Sequence, residues 1–132
     1  MFGMSVQIED QTKRVKDAAD QATFRNLGHG AARISKDVKE SLVTAEGPSP
    51  AGSPPHTHKG AYLRRAVRYA NDKEAQSAVT GPLASIVGEA GAAHEFGEEF
   101  HGQDYPERPF MAPALDKNVD RLAPDWQGTI GE

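Results

Sequence analysis

His94-Glu95-Phe96-Gly97, with Arg108-Pro109-Phe110-Met111-Ala112-Pro113-Ala114-Leu115 opening eleven positions beyond Gly97, is a shape signature rather than a catalytic one. Gly97 follows the aromatic Phe96 at the end of a small-residue stretch. It is expected at positive φ, where a Cβ would strain the turn by about 1 kcal/mol or more. Arg108-Pro109-Phe110 then feeds a helix in which Pro113 sits early, where a missing amide is tolerated. Phe110 is the expected buried anchor, with Pro109 fixing its approach and Met111 and Leu115 on the same or an adjacent side. Glu95 and Arg108 flank the intervening acidic loop. They are placed to pair with each other or with opposite charge on a neighbouring subunit, such as Glu95 with Arg64 or Arg65.

A third motif lies upstream, Ser53-Pro54-Pro55-His56-Thr57-His58-Lys59-Gly60-Ala61-Tyr62-Leu63-Arg64-Arg65-Ala66. In this order the three motifs resemble the small neck and tail-completion proteins of tailed bacteriophages. The shared elements are a Pro-Pro loop running into Gly60, Leu63, Arg64 and Arg65, the His-Glu-Phe-Gly turn, and the Tyr-Pro-x-Arg-Pro-Phe-Met-x-Pro-Ala-Leu segment from Tyr105. The resemblance spans roughly residues 24 to 122 and is strongest from Ala92 to Leu115. The chain departs from the family pattern at His58-Lys59 and in an unusually acidic insert from Glu98 to Gln103.

The resemblance implies an α+β fold, with an N-terminal helix or helices packed on a small antiparallel sheet and a C-terminal helix. It also implies a virion structural role, a ring at the head-tail interface through which DNA passes without specific grip. Six-fold symmetry is the family expectation for a ring at the tail end and twelve-fold for one nearer the portal. Adjacent connector, stopper and tail-tube proteins would be its partners, and the host bacterial cytoplasm its place of assembly.

Composition agrees with an assembling subunit. The 132 residues suit one domain. Leu, Ile, Val and Phe together number only 23 of them, under the ~20 % level at which disorder becomes a reading to weigh, while a net charge of −4 is too small to complete the disordered signature. A thin core gains stability by burying surface against copies or neighbours. Charge is unevenly placed: residues 59–73 carry five basic side chains against Asp72, whereas residues 74–132 carry 11 acidic against 3 basic. Opposite faces of this kind suit head-to-tail contact in a ring, although both could equally be solvated. Cysteine is absent, which removes disulfides and thiolate chemistry. No segment reads as a signal peptide or a membrane span.

Along the chain, Val6 and Ile8 alternate with polar residues over Ser5 to Asp10 and suggest a short edge strand, after which Asp10 or Thr12 could cap a helix. The stripe Phe24, Leu27, Ala31, Ile34, Val38, Leu42 is helical, and Gly28 and Gly30 predict a soft spot between two helices. Residues 46–60 hold four prolines and three glycines and form a long loop, the first place to look for an assembly contact. Residues 62–87 read as two or three short antiparallel strands, with a possible helical turn at Tyr62, a turn at Asn71-Asp72 and a break at Gly81-Pro82. Glu89 to Phe96 forms a short helix or strand ending at Gly97. Met111, Leu115, Val119 and Leu122 mark the apolar side of a C-terminal helix that Pro124 stops. A polar tail containing Trp126 begins at about residue 123.

Catalytic readings fail on spacing. A zinc-protease helix needs a second His four residues after His94, and that position is Glu98, beyond the helix-breaking Gly97. Glu99 and His101 are too loosely spaced to complete a metal site, and His56 and His58 lack a third ligand. No serine sits in a nucleophile elbow, and Gly28-His29-Gly30 lacks the rest of a dinucleotide fingerprint. No catalytic residue, metal or cofactor is therefore expected. The competing reading is a small nucleic-acid-associated or toxin-like regulator, with Arg64, Arg65 and Arg68 as its phosphate-binding stripe.

Overall fold

A computed structural model describes residues 2–128 of the chain, with side chains from Gln11 onward. Its spine is one helix, α1 (Phe2–Ser41), about 60 Å long. The expected strand at Ser5–Asp10 is helix instead, and Asp10 and Thr12 lie inside α1 rather than capping it. Once a helix has formed, each added residue gains a hydrogen bond, and neither Gly nor Pro interrupts the sequence from Met4 to Leu27. The side chains of Val6 and Ile8 lie outside the described set.

The expected soft spot is also absent, because Gly28 and Gly30 serve close approach instead. A Cβ on Gly28 would collide with the Asn71 side-chain amide, and one on Gly30 would lie 2.8 Å from Leu122 Cδ2. The cost of glycine in a helix, about 1 kcal/mol each, is offset by letting a strand and the last helix cross α1 at short range. Residues 11–17 of α1 are exposed throughout, while Ala22, Asn26, Ala31, Ile34, Ser35 and Val38 are buried at helical spacing. Phe24 and Leu27, read as part of the buried stripe, are only half-buried.

After the loop at 46–60, a single turn α2 (Tyr62–Ala66) leads into β1 (Val67–Asp72), which pairs antiparallel with β2 (Ser77–Pro82) from Val67↔Pro82 to Asp72↔Ser77. The hairpin turn therefore falls one step later than Asn71-Asp72, at 73–76. Asp72 Oδ1 accepts the amide of Ala75 at 3.0 Å, and Gln76 Nε2 donates to Asp20 Oδ1 at 2.7 Å, tying the hairpin tip to α1. Gly81-Pro82 ends the strand rather than breaking it, and α3 (Ala84–Val87) and α4 (Ala90–Phe96) follow. The acidic insert forms a second hairpin, β3 (Glu99–Phe100) with β4 (Gln103–Asp104). Its two turn residues, His101 and Gly102, both have positive φ, at 51° and 75°, as a right-twisted two-residue hairpin requires.

Helix α5 (Met111–Leu122) packs along α1, as does the β1–β2 hairpin. Its buried side is shifted by one residue from the sequence reading. Phe110, Ala114 and Asn118 face inward, whereas Leu115 and Val119 stand 48 % and 52 % exposed. Asn118 can occupy a buried position because its amide donates to Asp37 Oδ2 at 2.7 Å and to the Ala114 carbonyl at 2.8 Å.

The tail is not free over the described residues. A 3₁₀ turn (Ala123–Trp126) folds back on α1, where Arg33 forks onto the Asp125 carboxylate and Trp126 Nε1 donates to Thr23 Oγ1 at 3.3 Å. Residues 129–132 lie outside the described set. The architecture is mixed α+β: a long N-terminal helix, a small antiparallel hairpin and a C-terminal helix. One cluster, Ile34, Val38, Leu42, Val67, Phe110 and Ala114, forms the core, flanked by Leu63 and Met111.

Candidate functional site

The three sequence motifs meet, and the side chains of Glu95, Arg108 and Arg64 bond backbone groups. The first amides of α5 have no partner inside the helix, and Phe110 at its N-cap cannot supply one. Glu95, on the last turn of α4, supplies it from elsewhere in the chain. Its Oε2 accepts the amides of Phe110 and Met111 at 2.8 and 2.9 Å, and its Oε1 accepts that of Ala112 at 3.0 Å. The next residue, Pro113, has no amide to satisfy. One carboxylate thus closes the whole N-terminus of α5, with its charge at the favourable end of the helix dipole. The expected pairing of Glu95 with Arg108 is not formed, and a carboxylate committed to three amides is a poor candidate for an intersubunit bridge to Arg64 or Arg65.

Gly97 ends α4 at φ 66°, as expected for a left-handed cap. A Cβ there would lie 2.7 Å from the amide nitrogen of Glu107, because the chain returns alongside after the β3–β4 hairpin. That return is fixed by Arg108, whose amide donates to the His94 carbonyl at 2.7 Å. The guanidinium of Arg108 turns the other way, and its Nε donates to the Ser49 carbonyl at 2.8 Å. Beside it, the Gly52 amide donates to the Glu107 carbonyl at 2.8 Å. Phe96 itself is exposed, so the aromatic of the first motif is not part of the core.

These bonds order the Pro/Gly loop. Thr57 is buried and makes a parallel bridge to Thr44, with their hydroxyls 3.0 Å apart. Pro55 is fully buried and Pro54 half-buried. Gly60, at φ 97°, lets the ring of Tyr62 lie close by, since a Cβ would sit 2.9 Å from its Cε2. Arg64 donates through Nε, at 2.9 Å, and Nη2 to the Leu42 carbonyl, satisfying an orphan acceptor just beyond the end of α1. Arg68 Nη1 donates to the backbone carbonyls of Arg65 and Val67. Arg65 stays on the surface with its guanidinium 6.0 Å from the centre of the Tyr62 ring.

Between the ordered loop and α4 lies a cleft of about 480 Å³. The loop contributes Ser49, Pro55, His58 and Lys59, α2 contributes Tyr62 and Leu63, and the opposite wall carries His94, Tyr105 and Arg108. Three histidines, a lysine and an arginine line it, and no carboxylate does. Two polar atoms of lining residues, His94 Nδ1 and Ser49 Oγ, are buried without a hydrogen-bond partner. Among the described residues no group of three or more acidic or histidine side chains is placed to hold a metal ion.

Burial pushes the His94 imidazole below its ordinary pKa, and the positive charges of Arg108 and His58 push it the same way. A depressed histidine is bound to fewer protons folded than unfolded. Its contribution to stability is complete above the ordinary imidazole value and is lost as pH falls from there to the folded-state value. The denaturation midpoint should therefore drop as pH falls below the ordinary imidazole value of about 6.5, and His94→Gln should flatten that slope. Asp125 and Asp37 have carboxyls held low by hydrogen bonds from Arg33 and Asn118. They act in the same direction, but only below the ordinary carboxylate range, so urea titrations at pH 8, 6.5 and 5 isolate the histidine.

Of the residues the sequence singles out (Pro54, Pro55, Gly60, Leu63, Arg64, Arg65, Glu95, Phe96, Gly97, Arg108, Pro109, Phe110 and Pro113), Arg64, Glu95 and Arg108 bond backbone groups of their own chain, Phe110 lies in the core with Leu63 packed against it, and Arg65 and Phe96 are exposed. The sequence gives no sign of Ser49, or of the cleft that it shares with the motif residues His94 and Tyr105. No family model, curated protein or solved structure matches the chain.

Proposed function

We propose that this chain is a structural subunit of a tailed-phage virion, which closes a ring at the head-tail interface in a neck, terminator or completion role. The observation that carries the reading is surplus apolar surface. Among the described residues ten large hydrophobic side chains are exposed, whereas the core cluster has six members. They include Leu115 and Val119 on α5, Leu83 and Ile86 around α3, Phe96 on α4, and Tyr69 and Val79 on the hairpin. Burying such side chains against neighbours supplies the driving force for assembly. The split charge of the chain sets which faces meet, and an acidic lumen would let DNA pass without adhering.

The regulator reading is less well supported. Arg64 and Arg68 donate to backbone carbonyls of their own chain, so fewer guanidinium donors are left for phosphates. Sedimentation velocity over a wide concentration range, with mass spectrometry of purified virions, tests the proposal. A closed ring of six or twelve subunits and recovery from virions are expected. Leu115→Glu combined with Val119→Glu should weaken the ring while leaving the monomer folded. A monomer at every concentration and absence from virions would sink the reading.

A further inference from the structure

We propose that the cleft between the Pro/Gly loop and α4 binds an oxyanion, a phosphate or carboxylate group carried on a compact apolar or aromatic body. Its volume, about 480 Å³, lies within the range of small-molecule sites, about 300–1,000 Å³. The charged side chains among its lining residues are Lys59 and Arg108, with the imidazoles of His56, His58 and His94 beside them and no carboxylate. A cavity lined by one sign of charge concentrates the opposite ion.

The second observation is independent of charge. Ser49 is only 3 % exposed, and its hydroxyl has no hydrogen-bond partner, nor does Nδ1 of His94. An unpaired buried polar group costs about 1–3 kcal/mol, and these two belong to residues on facing walls of the same cleft. Both atoms are closed off from solvent, so an oxyanion in the cleft would reach them after a small side-chain rotation, accepting from the hydroxyl and from the imidazole N–H. Arg108 is held for this by its bond to the Ser49 carbonyl, which uses Nε and leaves the terminal nitrogens of the fork without a hydrogen-bond partner among the described residues.

The rest of the lining sets the class of ligand. Pro55, Leu63 and Val87 supply apolar wall, and the rings of Tyr62 and Tyr105 supply flat faces. A bare inorganic ion would leave most of this volume unfilled. An anion with a ring or short hydrocarbon body would cover it, in keeping with the apolar character of ligand sites generally.

The experiment is a titration of the full chain with phenyl phosphate, inorganic phosphate, benzoate and sodium chloride at matched ionic strength, followed by the ring resonances of His94 and the amide resonances of Ser49 and Lys59. Saturable shifts are expected with phenyl phosphate, with affinity at least about 10-fold above that of inorganic phosphate, because the apolar body buries surface worth more than one factor of ten. Benzoate should compete, while chloride should not saturate. The double variant His58→Gln with Lys59→Met, which alters exposed lining side chains, should keep the wild-type fold and lose about 10-fold or more in affinity, as expected for two lost charge contacts. Equal responses to chloride and phenyl phosphate, or unchanged affinity in that variant, would overturn the proposal. The result is separable from ring formation, which sedimentation reads without any ligand.

Discussion

Phe110→Ala should remove about 3–5 kcal/mol of stability, the largest loss expected from any single truncation in this chain. Phe110 is 1 % exposed and shares the core with Ile34, Val38 and Leu42 of the α1 stripe, with Val67 and with Ala114. In a cluster of six, it is the largest fully buried side chain. The surroundings are poorly placed to collapse into the space it leaves. α1 is a continuous helix, Glu95 holds the amides on either side of the position, and Gly91 presents no side chain that could swing in. A domain of this size is stable by about 5–15 kcal/mol, so the variant should unfold at much lower urea or fail to accumulate as soluble protein. Phe110→Leu keeps most of the volume and should cost far less. A midpoint for Phe110→Ala within error of wild type would mean that the core closes without the ring.

Much of this arrangement was legible because local rules control it. The C-terminal helix, the hairpin, the α2 turn and the positive φ of Gly97 all follow from periodicity and from residues that only one backbone conformation suits. Two errors show where local rules stop. By hydropathy alone the α5 stripe is Met111, Leu115, Val119 and Leu122, its most apolar side chains. The buried side instead runs through Ala114 and Asn118, which are small or paired enough to lie against α1. Likewise, Gly28 and Gly30 suggest a weak helix when read alone. What makes them useful is the presence of Asn71 and Leu122, which are more than forty and ninety positions away in sequence.

The same limit hid the role of Glu95 and the cleft. Capping boxes are recognised because cap and helix are three residues apart, whereas Glu95 precedes its first amide by fifteen positions. One signal was available. A helix beginning Phe110-Met111-Ala112-Pro113 has no Ser, Thr, Asp or Asn to cap it, so the acceptor had to come from another segment. The cleft had no such signal. Ser49, His58, His94 and Tyr105 meet where Arg108 fastens the loop to the segment before α5; three of them stand in the motifs, but no spacing within a motif says that they share a cleft.

Glu95 therefore gives the second large expected effect, and one that separates two accounts of the same residue. If its carboxylate served a neighbouring subunit's arginine, Glu95→Lys would leave a folded monomer that cannot assemble, and Arg64→Glu or Arg65→Glu would restore the ring. The observed geometry predicts otherwise. Losing an N-cap costs about 1–2 kcal/mol, and here the acceptor is charged, part-buried and shared by three amides, so Glu95→Ala should lose at least about 2 kcal/mol. Glu95→Gln keeps one oxygen acceptor and should fall between wild type and Ala. Glu95→Lys should be the worst of the three, because it adds a cation at the positive end of the α5 dipole. Neither arginine change should rescue it, and Arg64→Glu should add damage of its own by uncapping the Leu42 carbonyl. Urea unfolding at concentrations low enough to keep the chain monomeric gives the ranking. Amide exchange at Phe110, Met111 and Ala112 should accelerate in the Ala variant before exchange elsewhere in α5. A Glu95→Lys monomer with the wild-type midpoint and unchanged exchange at those three amides would return the residue to the interface.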